Sequence, residues 1–202
     1  MPEYSHLYIE LKERLAKLES TFLGAQIAAE LEEPLTFAAD LDQIAAFRVL
    51  VHAEIEDYLE RKAKESIIVL RDRAKLDGFS IKSNIELFLL ANVFGCELPV
   101  PTPYDVKAIV ASVGKLLADV ERFVTGNNGI KEGSFIKLSL ICGRMADELD
   151  VNLINMLNSY GRGRGDVAHQ STLRVRSLHA PTAEKANAIA LVRALGDFFY
   201  SE

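Results

Sequence analysis

The sequence predicts an all-α protein, an up-and-down bundle of helices with an extra helix at its N-terminus. Three observations carry that prediction. Apolar residues recur at three- and four-residue steps through almost every segment. No run alternates as a half-buried strand does, and glycine, proline and asparagine collect in short clusters between the periodic stretches. No internal repeat is evident. With 202 residues, 49% of them hydrophobic and 26% charged, the chain is long enough for a sizeable core and has the composition of a folded protein.

The elements follow in order. Residues 7–31 read as a charged amphipathic helix that stops before Pro34, which defines an N-terminal arm, 1–36, ahead of a bundle domain, 37–202. The charge pattern of that arm permits it to complete the bundle, extend an interface or hold an inhibitor. From Phe37 to Leu76 there is neither glycine nor proline, and Ile44, Phe47, Val51, Ile55, Tyr58 and Leu59 mark one face. This stretch is one long helix or two with a tight break. Ile85 to Phe94 reads as a short apolar helix, and Thr102-Pro103 supplies the cap and first turn of a helix to Val124. Asn127-Asn128-Gly129 is a turn. Ser134 to Leu149 is densely apolar and is expected to form a central helix, which 151–160 continue or restart. Gly161, Gly163 and Gly165 are expected to break it, with Asp166 capping a further helix that carries His169. A last helix, about 183–199, follows Pro181-Thr182.

Composition narrows the setting. Cys96 and Cys142, the two cysteines, fit no metal spacing and read as buried thiols of a reducing compartment. The first seventeen residues lack the apolar core of a signal peptide, and the longest apolar run, 87–94, is far too short to span a bilayer. A cytoplasmic protein with no membrane partner is therefore expected. The net charge of −6 argues against a general coat for nucleic acid. Residues 161–179, however, set Arg162, Arg164, Arg174 and Arg176 against Asp166 alone. A basic patch on an acidic body suits a confined anion site.

That patch begins with the densest chemistry in the chain, Gly161-Arg162-Gly163-Arg164-Gly165-Asp166-Val167-Ala168-His169. Arginine offers planar donors matched to phosphate, and histidine moves a proton near neutrality. Spacing alone decides nothing. With 12 arginines and 4 histidines, an arginine five places before a histidine arises by chance roughly 0.24 times, and Arg174 with His179 repeats it. A nucleotide-cradling glycine loop would need a preceding strand, and Leu153 to Leu157 is helical in pattern. The plainest alternative is a helix connection bearing solvated arginines. His52-Ala53-Glu54 matches the His-x-Glu of zinc deaminases but lacks the paired cysteines, so no metal and no cofactor is expected. His52 reads as a partly buried histidine; His6 and His179 carry no argument. Asn158 and Tyr160, within a turn of the arginines, are candidates to line the same site, and one of Glu54 and Glu56 is a candidate to face it.

Arg164-Gly165-Asp166-Val167-Ala168-His169 resembles the Arg-x4–6-His signature of the HEPN superfamily. The earlier helix, Phe47 to Glu60, is similar to the first core helix of its RiboL-PSP-HEPN branch, and the two landmarks come in the family's order across residues 40–200. The position after the arginine, commonly polar in that family, is Gly165 here, with Asp166 one place later. The resemblance implies a metal-independent endoribonuclease acting as a homodimer with a composite active site. Its substrate is RNA, its catalytic residues are Arg164 and His169, and Arg162, Asp166, Asn158, Tyr160 and Glu54 are its substrate-binding candidates. It also implies a toxin, defence or stress effector restrained by an antitoxin or other regulatory partner. Two other readings compete: a non-catalytic HEPN-type protein that binds RNA or nucleotide or acts as a scaffold, and a purely structural helical adaptor.

Overall fold

The computed structural model describes residues 4–76, 81–98, 106–145, 148, 150–169, 171, 172, 175 and 177–200. Among the described residues every extended regular element is an α-helix and there is no strand. In chain order these are α1 (His6–Phe22), α2 (Gly24–Glu32), α3 (Leu41–Leu76), α4 (Ile81–Val93), α5 (Val106–Thr125), α6 (Glu132–Ile141), α7 (Val151–His169) and α8 (Pro181–Tyr200). The stretch without glycine or proline is a single helix of 36 residues. The Thr102-Pro103 cap and Arg174 lie outside the described residues.

The chain divides into two compact units. One holds Met1–Tyr58, Gly129–Glu132 and Glu148–Glu202; the other holds Leu59–Asn128 and Gly133–Asp147. In the first, α1 starts at Ser5, whose hydroxyl accepts from the Tyr8 backbone N–H, and buries Leu7, Tyr8, Leu11, Leu15 and Leu18 at helical spacing. The Tyr8 hydroxyl donates to the Val192 carbonyl of α8 over 3.0 Å, so the N-terminal helix shares a core with the C-terminal one. Gln26, buried on α2, accepts from the Asp40 N–H at 2.8 Å. The Asp40 carboxylate in turn accepts from Asp42 and Gln43 and caps α3. Ile44, Phe47, Val51 and Ile55 of α3, Leu153 and Leu157 of α7 and Ala188, Leu191, Val192 and Leu195 of α8 complete this core.

The second unit is built on Leu59, Ala63, Ile67 and Leu70 of α3. Leu87, Leu90 and Ala91 of α4, Leu116, Leu117, Val120 and Val124 of α5, and Phe135 and Leu138 of α6 are buried in it. Its last helix is shorter than the apolar density of 134–149 predicts. Gly143 takes φ +76°, and the N–H groups of Gly143 and Arg144 turn back to the carbonyls of Leu140 and Ser139, a glycine-terminated helix end that outweighs hydrophobic content. Asp150 then accepts from the Asn152 N–H and starts α7 afresh.

The largest correction concerns the glycines. Helix α7 runs unbroken from Val151 to His169 through Gly161, Gly163 and Gly165, and Asp166 lies inside it instead of capping a new helix. Close packing accounts for two of the three. A Cβ on Gly163 would stand 2.8 Å from Nη1 of Arg48, and one on Gly161 would stand 2.9 Å from Cγ of Lys131. A Cβ on Gly165 would meet nothing within 4 Å. The three alanine variants should therefore separate on urea unfolding. Gly165→Ala is expected to stabilise by about 0.5–1 kcal/mol through helix propensity alone. Gly163→Ala is expected to destabilise by about 1–3 kcal/mol, because Arg48 is held by other bonds and cannot retreat. Gly161→Ala falls between them, since the exposed Lys131 side chain moves aside.

Candidate functional site

Continuity of α7 decides which of its side chains converge. At about 100° per residue, Asn152, Asn155, Ser159, Tyr160, Gly163 and Asp166 fall along one stripe, with Arg162 at its edge. Arg164 and His169 lie on either side of that stripe, about 140° apart around the helix. His169 is exposed in the last turn, whereas Arg164 is half-buried close enough to His52 for its charge to act there. On one chain the two side chains therefore leave the helix in different directions.

The stripe faces a groove of about 600 Å³. Tyr160, Arg162 and Asp166, three of the residues singled out by sequence, line it together with Asn155, Ser177, His179 and Asn187, and Met156 supplies apolar surface. Its wall rests on a buried ion pair. Arg48 and Glu184 are 4% and 0% exposed, and the guanidinium Nε and Nη2 donate to the two carboxylate oxygens. Arg48 also donates to the Ser177 carbonyl at 2.7 Å and to the Ser177 hydroxyl at 3.2 Å. That hydroxyl donates to Asp166 at 3.2 Å, and the His179 N–H donates to Glu184 at 2.8 Å. The segment before α8 is thus pinned against α7, and Asp166 and His179 are brought to one wall.

Tyr160 lines the groove and is 8% exposed, while its hydroxyl oxygen is closed off from solvent and has no hydrogen-bond partner. Burial, reinforced by the Glu184 carboxylate, raises its pKa, so the phenol stays protonated. The remaining candidates are engaged elsewhere. Asn158 accepts from the Glu132 N–H at 3.0 Å at the start of α6, and Glu54 receives two bonds from Arg14, at 2.9 and 2.6 Å. Among the described residues no group of three or more histidine, cysteine or acidic side chains is placed to hold a metal ion. Burial pushes the Cys142 thiol up to about 11, which leaves it a poor nucleophile.

His52 is buried, and burial together with the Arg164 and Lys131 charges lowers its pKa from 6.5 to about 4. Its Nδ1 lies 3.7 Å from the Glu56 carboxylate, beyond hydrogen-bond reach. In the unfolded chain the imidazole titrates at its ordinary value, so below pH 6.5 the unfolded state takes up a proton that the folded state refuses. The contribution to stability is complete above that value and is lost progressively as pH falls towards 4. Urea unfolding between pH 7 and pH 4 should show this decline, and His52→Leu should flatten it.

Sequence reasoning missed Arg48, Ser177, Glu184 and Asn187 and had no use for His179. Two of these carried a signal. Arg48 interrupts the buried stripe Ile44, Val51, Ile55, and Glu184 opens the stripe Ala188, Leu191, Leu195, so each charge sits where an apolar residue is due. No family model, curated protein or solved structure matches the chain. Among the described residues, no helix is long and apolar enough to cross a membrane.

Proposed function

We propose that this chain is a metal-independent endoribonuclease of HEPN type that acts as a homodimer. The observation that carries the proposal is the placement of Arg164 and His169 on one continuous helix, facing apart. A second copy set against the same helix supplies the histidine that Arg164 lacks in its own chain, and the arginine that His169 lacks. This geometry gives the composite site a physical reason.

The chemistry follows from the side chains. The ribose 2′-oxygen attacks the adjacent phosphorus while His169 takes its proton. The bond from phosphorus to the 5′-oxygen breaks, that oxygen is protonated, and Arg164 offsets charge on the non-bridging oxygens. The products are a 2′,3′-cyclic phosphate and a 5′-hydroxyl, with no metal in any step. Incubation of a labelled structured RNA in EDTA tests the reading. Cleavage with cyclic-phosphate ends is expected, and a deoxyribose at the cleaved nucleotide should abolish it. RNA binding without scission would replace the enzyme with a binding protein, and neither would leave the adaptor.

A further inference from the structure

The turn before α6 brings to α7 a cation that the cleavage chemistry above does not use. Ile130 is fully buried, and Asn158 of α7 accepts from the Glu132 N–H at 3.0 Å and donates to the Glu132 carboxylate at 3.3 Å. Lys131 stands between these two anchors. Its stem lies over the bare backbone of Gly161, where a Cβ would be 2.9 Å from Cγ and 3.4 Å from Cε. Gly161 and Arg164 are three residues apart on one helix, and side chains at that spacing are neighbours. The Lys131 stem takes the place of the first of them, so its ammonium and the Arg164 guanidinium serve one stretch of α7. Both charges also act on the buried His52.

The two cations are uncompensated. In the same unit Arg14, Arg48 and Lys185 each meet a carboxylate. Among the described residues neither Lys131 nor Arg164 does. The Glu132 carboxylate, next to Lys131 in sequence, is taken by Asn158. Arg164 is half-buried, and withdrawing a guanidinium from water beside a second cation is unfavourable until an anion joins them. The helix face beside the pair is open, since a Cβ on Gly165 would meet nothing within 4 Å. Lys131 itself is exposed. Two reachable cations next to open space suit a group with one negative charge and several acceptor oxygens, which is the chemistry of a phosphodiester.

We infer that Lys131 and Arg164 of one chain together hold the RNA backbone phosphate at the cleavage site. This rests on the proposed function for its choice of RNA and of a dimer. The two halves of the composite site then differ in kind: one copy holds the phosphate, and the other moves the proton.

Lys131→Met keeps the stem over Gly161 and removes the charge, while Lys17→Met removes an exposed charge of α1 as a control. Binding of a 2′-O-methyl RNA strand, which cannot be cleaved, is followed by fluorescence anisotropy at several salt concentrations. Lys131→Met is expected to weaken binding about twofold to fivefold. It should also lower the slope of log K against log salt by about 0.7, the share of one phosphate on a single strand. Lys131→Arg should restore both, Lys17→Met should change neither, and none of the three should shift the melting temperature. Gly165→Glu sets a carboxylate beside the two cations and should weaken binding further, with a melting temperature no lower than that of wild type. An unaltered slope in Lys131→Met, or an equal fall in Lys17→Met, overturns the inference, and so does a wild type that binds no strand. Inorganic phosphate separates the sources: if it displaces the strand at a concentration matching the strand's own phosphates, the pair takes the free anion and the RNA assignment falls. Failure here together with EDTA-resistant cleavage would leave the nuclease standing. A Lys131-dependent slope without cleavage would leave the phosphate site standing and remove the nuclease.

Discussion

Replacing His169 with alanine is expected to lower the rate of RNA cleavage about 10²–10⁴ fold, the usual worth of a positioned general acid–base. The side chain is exposed in the last turn of α7, so its loss should leave the fold and its melting temperature unchanged. Arg164→Ala should also reduce cleavage, by about 10²–10³ fold if it acts as a charge-stabilising donor at the phosphate. His179→Ala is the informative control. It repeats the arginine–histidine spacing in sequence, but in space it lines the groove and is tied through its backbone to Glu184. It should retain the rate of the chemical step, and any effect should fall on substrate affinity. Single-turnover cleavage by the three variants, alongside thermal unfolding, separates these outcomes.

The largest stability effect is expected at the buried ion pair. Glu184→Ala leaves the Arg48 guanidinium 4% exposed and uncompensated, and it removes the acceptor of the His179 N–H. A cost of about 3–5 kcal/mol is expected, typical of breaking a buried pair from one side. Arg48→Ala should cost a similar amount and also release Ser177 from α3. Replacing both together, Arg48→Met with Glu184→Leu, should recover most of the loss, because no unpaired charge is then left inside. Urea midpoints for the two single variants and the double variant measure the coupling directly. Additive losses would show that the pair does not act as a unit.

Much of the helical arrangement was legible in the sequence because it depends on local periodicity. A helical 37–76, a last helix after the Pro181-Thr182 punctuation and a helix end before Pro34 follow from spacing and from residues whose backbone preferences are strong. The last helix starts two residues earlier than expected, at Pro181, and the single helix expected over 7–31 is two, α1 and α2, which part at Leu23. The glycines of α7 were misread for a definite reason. A glycine in a helix costs only about 1 kcal/mol, and packing against Arg48 and Lys131 outweighs that without leaving any mark in the local sequence. The same error hid the site. With a loop at 161–165, Arg164 and His169 are free to converge; on a helix they diverge, and Tyr160, Arg162 and Asp166 converge instead. Ser177 and His179 are tied to the groove wall by the Arg48–Glu184 pair, which joins residues 136 positions apart and is beyond any local pattern. Periodicity also left open which of Glu54 and Glu56 faces a site. Glu54 is bound to Arg14, whose partner could be found only in three dimensions.

The measurement that tests the central claim most directly is complementation between two inactive chains. Arg164→Ala and His169→Ala protein, each slowed at least about a hundredfold alone, are mixed, allowed to exchange subunits and assayed on a labelled RNA in EDTA. If each site takes its arginine from one copy and its histidine from the other, half of the dimers are mixed and each carries one intact site of its two. Activity should then return to about a quarter of wild type. Mixtures that exchange subunits fully yet remain as inactive as the separate variants would contradict the account.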